Sequence, residues 1–228
     1  MSQGELHALA LALFLPRATM SASPFRFVVL DDPIQAMDPA KFDGFVAVLA
    51  ELARDRQVIV LSHDDRLPQA IRYLRAPARI LDVHRAANSK VEVTSAGDPA
   101  DRYIADALAL AHDEQVPEDV WRRVLPVLCR MALEAAAQDV FMAGRFTAGA
   151  DRTDVEGEWN AARRTRQRVG LAVPDGPDSL DRWAARVRWR GQALWICGSA
   201  NHERLDGDPI AAIEDVKKTV EDIRKGQR

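Results

Sequence analysis

Two short apolar runs, each ending abruptly in polar groups and separated by one helical stretch, constrain this chain more than any other feature. Phe25 to Leu30 runs into Asp31-Asp32, and Gln57 to Leu61 runs into Ser62-His63. Both runs have the length and near-continuous apolarity of strands buried in a parallel sheet. Between them Phe42, Phe45, Val46, Leu49, Leu52 and Ala53 keep helical spacing behind Pro39, a proline suited to a first helical turn. Arg66 to Leu74 reads as another helix. Strand, helix, strand, helix over fifty residues predicts right-handed βαβ units and an α/β fold.

Upstream, Ser2 and Glu5 stand three apart, the capping-box spacing in which each side chain satisfies the other residue's backbone N–H. The helix that follows, Leu6 to about Leu15, is apolar nearly all round and is expected to be buried, ending at Pro16 and the Thr19–Pro24 stretch. Its apolar core is too short to span a bilayer, and no Lys or Arg precedes it, so no secretory leader is expected. A cytoplasmic protein making no use of a membrane is expected. Cys129 and Cys197 lie in apolar contexts without metal-ligand spacing and read as reduced, buried thiols.

Downstream, Ala78–His84 and Lys90–Thr94 read as strands joined by Ala87-Asn88-Ser89, a hairpin at the sheet edge. From Asp98 onward the texture is helical. Helices are expected over Pro99–His112, Pro117–Val140, Val155–Val169, Ser179 to about Cys197, and from Asp208 and Pro209 to Gly226. Trp121, Leu125, Leu128, Ala132 and Ala135 form the apolar stripe of the second. Two domains follow: an α/β lobe over residues 1–97 and an all-α helical extension over 98–228. With 228 residues, 47% hydrophobic and 29% charged, the chain can bury one core plus an appendage.

Net charge is −3, so any nucleic-acid contact must come from a local patch. Arg163, Arg164, Arg166, Arg168, Arg182, Arg186, Arg188 and Arg190 offer one. Two readings stay open: a surface tracking a phosphate backbone, or solvated helix faces paired to nearby acids. The five tryptophans read as core and interface anchors rather than stacking platforms. Arg130 and Glu134, one turn apart, read as a surface pair.

At the strand ends, Asp31, Asp32 and His63 would share the C-terminal rim of a parallel sheet, where ligands of open α/β folds bind. Two acids and an imidazole there suit metal-assisted phosphoryl transfer. Equally, Asp31, Asp32 and Asp64 would serve to cap loops and helix starts.

Order and spacing add a resemblance. Met1-Ser2-Gln3-Gly4-Glu5 resembles the signature motif of ABC-type ATPases, commonly Leu-Ser-Gly-Gly-Glu. Val28-Val29-Leu30-Asp31-Asp32-Pro33 resembles Walker B, Gln35-Ala36-Met37-Asp38 follows at D-loop distance, and His63 stands where the switch histidine does. Over residues 1–95 the chain looks most like the SMC-related ATPases of chromosome maintenance, DNA repair and phage defence. The resemblance implies the C-terminal lobe of a P-loop NTPase that uses ATP and Mg²⁺ and dimerises with a second ATPase protomer, with DNA as a further partner. It implies that Asp31 holds the Mg²⁺ shell, that Asp32 is general base in place of the usual glutamate, and that His63 contacts the γ-phosphate or the attacking water. Ser2, Gln3, Gly4 and Glu5 would meet the nucleotide of the opposite subunit, with Asp38 acting across the interface.

No G-x-x-x-x-G-K-[ST] P-loop occurs in the sequence, and none of its five lysines follows the needed glycines. The Walker A lobe is therefore expected from a longer protein or from another polypeptide. The chain alone is expected to be inactive. Two other readings are an ATP-binding subunit of an ABC transporter and a non-hydrolysing interaction remnant.

Overall fold

The computed structural model describes residues 2–20, 23–35, 37–38, 41–85, 89–199 and 207–226. Met1, Ala36, Pro39, Ala87 and Asn88, on which sequence readings fell, lie outside the described residues. The chain divides into two compact units, Met1–Leu81 and Asp82–Arg228.

The first unit holds α1 (Gln3–Ala18), β1 (Phe27–Asp31), α2 (Phe42–Leu52), β2 (Gln57–Leu61) and α3 (Arg66–Tyr73). β1 and β2 pair in parallel, with Phe27 opposite Gln57 and Asp31 opposite Leu61. The ladder extends one bond further, since the Asp32 N–H donates to the Leu61 carbonyl at 2.8 Å. Val28 and Leu30 face a core completed by Leu15 of α1, Phe42, Phe45, Val46 and Leu49 of α2, and Leu67 and Ala70 of α3. The opposite face of the sheet is uncovered. Phe27, Val29, Ile59 and Leu61 are all exposed, alternating with the buried residues as strand geometry requires. Neither strand is therefore buried on both faces as its apolarity predicts.

α1 departs from expectation in the same way. Leu15 is its one buried large hydrophobic residue among those described, while Leu6, Leu9, Leu13 and Phe14 are exposed. Uniform apolarity shows that a helix can be covered all round, not that the cover is present. Pro16 does not end the helix either. α1 continues to Ala18, and Thr19 closes it by donating its hydroxyl to the Leu15 carbonyl at 2.7 Å.

In the second unit β3 (Leu81–Arg85) and β4 (Val91–Ser95) form their own two-stranded sheet and do not extend the β1–β2 sheet. The break between the two compact units falls after Leu81. The helices are α4 (Pro99–His112), α5 (Glu118–Thr147), α6 (Arg152–Ala161), α7 (Thr165–Ala172), α8 (Leu180–Ala185), α9 (Arg188–Ser199) and α10 (Pro209–Lys225). α5 is the axis, packed against α4, α7, α9 and α10. Its fully buried residues are Leu125, Ala132, Leu133 and Ala137, with Cys129 beside them. The stripe is thus rotated from the expected one, and Leu128 and Ala135 are only half-buried.

Each of two expected long helices is broken in two. Val155–Val169 becomes α6 and α7, interrupted at residues 162–164, and Ser179–Cys197 becomes α8 and α9, interrupted at residues 186–187. Glu134 is not paired with Arg130. It accepts the Thr165 hydroxyl at 2.7 Å and is ion-paired with Arg168, whose guanidinium lies 5.3 Å from the Trp159 ring centre. This half-buried cluster anchors α7 to α5.

Candidate functional site

The C-terminal rim of β1 and β2 brings Asp32 and His63 together. Asp31 closes β1 in register and shares the exposed face with Phe27 and Val29. The next residue, Asp32, has φ 43°, the left-handed region that aspartate tolerates better than most side chains. That turn ends the strand and carries the Asp32 carboxylate to the end of β2. There Oδ1 accepts the His63 N–H at 3.2 Å, and Oδ2 lies 2.8 Å from His63 Nδ1.

Partial desolvation pushes the Asp32 pKa up, but the His63 N–H, its ring and the Ser62 hydroxyl more than offset this. The net result is a carboxyl held below the usual 3.8, and so ionised at neutral pH. Three donors on the two oxygens leave a lone-pair site for a further donor such as water.

Asp64, the third acid of this stretch, serves local structure. It accepts the Arg66 N–H at 2.9 Å and is ion-paired with the Arg66 side chain, fixing the entry to α3. The Arg66 hydrogen bond, with a smaller opposing push from burial, holds its pKa below the ordinary value. For Asp64 the capping reading applies.

A second group of side chains lines a surface cavity of about 280 Å³: Ser2, Gly4, Glu5, Met37, Asp38, Lys41 and Arg66. The capping box at the head of α1 is formed. Ser2 Oγ accepts the Glu5 N–H at 3.2 Å, and Glu5 Oε2 accepts the Ser2 N–H at 2.8 Å. Glu5 is thus committed to the cap. The Gln3 side chain lies outside the described residues, though its backbone opens α1. Asp38 meets this turn from the loop after β1, 36 residues from Ser2 in sequence, and its carbonyl accepts the Lys41 N–H at 2.9 Å.

Lys41 and Arg66 were missed by sequence reasoning. Lys41 was legible as one of few lysines standing three residues after Asp38. Arg66, by contrast, reaches the cavity only through the fold, its guanidinium held 4.9 Å from the Phe42 ring centre.

No protein-family model and no curated protein matches this chain. In part the chain is similar to a solved structure from work on the structural biochemistry of ATP-driven dimerization and DNA-stimulated activation of SMC ATPases. The likeness has a TM-score of 0.35 at 19% identity, covering 51% of this chain and 65% of that one. The chain thus spans just under two thirds of that relative, and a likeness at this level carries no argument about fold or function.

Among the described residues no three or more His, Cys, Asp or Glu side chains are grouped to hold a metal ion. Asp31 supplies a single exposed carboxylate. That donor set does not fit an all-protein cage, but it fits Mg²⁺, which takes one or two carboxylates and keeps water and phosphate oxygens as its other ligands. No described helix is long and apolar enough to cross a membrane.

Proposed function

We propose that this chain is the signature-bearing half of a composite ATPase of SMC-like type, acting on DNA and hydrolysing ATP once a Walker A lobe and a second protomer complete the site. The observation that carries the reading is the double contact between Asp32 and His63 at the end of two parallel strands. An ionised Asp32 is suited to orient a water and accept its proton, and His63 is fixed beside it to contact the terminal phosphate. Mg²⁺ bound with the nucleotide would neutralise phosphate charge, with Asp31 holding its shell through water. The cavity joining Ser2 and Gly4 to Asp38 supports a second role for the same chain. At the head of a sixteen-residue helix, backbone N–H groups not used by the cap favour an anion, here the γ-phosphate of a nucleotide carried by the partner.

The uncovered apolar face of β1 and β2 supports the need for a further lobe. Phe27, Val29, Ile59 and Leu61 make a surface that another segment or polypeptide would bury. ATP hydrolysis by the chain alone, and after joining it to the region encoded directly upstream, tests the reading. None is expected in the first case, and activity abolished by Asp32→Asn in the second. Hydrolysis unchanged by Asp32→Asn would remove Asp32 from the base role.

A further inference from the structure

Two stretches of this chain are strongly basic: residues 66–90, with six Arg and Lys against one Asp, and a second in the helical unit. From Arg163 to Arg190 the sequence holds eight arginines and three aspartates, with no lysine and no glutamate, a net +5; the rest of a chain of net charge −3 therefore carries −8. The structure separates these arginines into two sets. Arg168 pairs with Glu134, Arg190 with Asp222, and Arg166 with Asp181, so three are tied to the fold. Arg163, Arg164, Arg182, Arg186 and Arg188 are exposed and make no ion pair among the described residues. Asp175 and Asp178, on the turn before α8, leave a net excess of three charges.

α7, α8 and α9 pack on one another, and Arg166 bridges α7 to α8 through Asp181. Arg182 and Arg186 stand four apart and line the same small recess. On α9 the exposed stripe is Arg188, Gly191, Gln192, Trp195 and Gly198, at the spacing that puts residues on one helix face. Trp195 is 48% exposed, whereas Trp159 and Trp183 are buried. The glycines beside it leave open ground: a Cβ added at Gly198 would meet nothing within 4 Å.

We propose that this arginine surface, with Trp195 as a stacking platform, binds single-stranded nucleic acid. The inference does not rest on the ATPase reading. Arginine neutralises phosphate in any nucleic acid, but an exposed indole finds a stacking partner only where bases are unpaired. An acidic protein segment would satisfy the charges and leave the indole without that partner.

Fluorescence anisotropy of a labelled oligothymidylate of about 20 nucleotides, titrated with the full chain, tests the proposal. Saturable binding is expected, with log affinity falling against log salt at a slope of about −2 to −3.5, as three to five phosphate contacts require. The triple reversal Arg182→Glu, Arg186→Glu, Arg188→Glu is expected to weaken binding about tenfold or more. Trp195→Ala is expected to cost roughly 5- to 100-fold on the single strand and to leave binding of a duplex of equal length unchanged. Far-UV circular dichroism checks that each variant keeps its helices; should the triple variant lose them, Trp195→Ala decides alone. Absence of saturable binding at low salt, or equal binding by the folded variants, would overturn the proposal. So would competition by polyglutamate as effective as that by unlabelled oligonucleotide, which would assign the surface to an acidic protein.

Discussion

Asp32 grips His63 at two points, through the backbone N–H at 3.2 Å and through Nδ1 at 2.8 Å, although 31 residues separate them. Parallel pairing of β1 and β2 brings their C-terminal ends level, and the left-handed turn at Asp32 sends its carboxylate sideways. Because the His63 ring supplies one of the hydrogen bonds that keep the Asp32 carboxyl acidic, its removal has a defined sign. His63→Ala should raise the Asp32 pKa toward the ordinary 3.8, read from carboxyl ¹³C shifts against pH. An unmoved titration would show that the contact is not formed in solution.

Asp222 provides a test of the helical unit. Its Oδ2 accepts Trp189 Nε1 and Arg190 Nε, both at 2.9 Å, joining α10 to α9. Burial raises its pKa, but these bonds outweigh it and hold the carboxyl below 3.8. A depressed folded pKa means the contribution is fully present above 3.8 and is lost as pH falls below it. Asp222→Ala should cost about 2–3 kcal/mol in urea unfolding at pH 7, shrinking as the acid limb is entered. An equal cost at pH 7 and pH 2.5 would contradict the assignment.

The two faces of β1 predict opposite responses to substitution. Leu30→Ala, within the core, should cost about 2–5 kcal/mol. Val29→Lys, on the uncovered face, should change stability by about 0.5 kcal/mol or less while reducing concentration-dependent self-association in sedimentation. A large stability loss from Val29→Lys would mean that the face is covered.

Both thiols should be inert in the folded chain. Burial pushes Cys129 up to about 12 and Cys197 well above its ordinary value, so almost no thiolate exists at neutral pH. Ellman's reagent should label neither until denaturant is added. Rapid labelling under native conditions would place a cysteine outside the core.

The legible parts were those set by local chemistry. The Ser2–Glu5 cap, the order of β1, α2, β2 and α3, and the caps at Asp98 and Asp208 follow from side chains a few residues apart. Burial was less legible, because apolarity in α1 and β1 shows what can be covered rather than what is. The breaks in the long helices lack glycine and proline at the interrupted residues and leave no local signal. The partner of Glu134 was misread for a similar reason, since Arg130 is one turn away while Arg168 arrives only through packing of α7 on α5. At the site, Asp31, Asp32 and His63 could be named from the strand ends. The left-handed turn at Asp32, by contrast, and the arrival of Arg66 in the cavity at the head of α1 need the folded chain.

The central claim is that one chain serves two nucleotides, Asp32 for its own and the Ser2–Gly4 turn for its partner's. Mixing two inactive variants of the chain completed by its Walker A lobe tests this most directly. Asp32→Asn and Gly4→Asp should each abolish hydrolysis, yet an equal mixture should recover about a quarter of wild-type activity. In random symmetric dimers, half of the assemblies then hold one intact site of two. A mixture as inactive as either variant, while dimers still exchange subunits, would contradict a site shared between protomers.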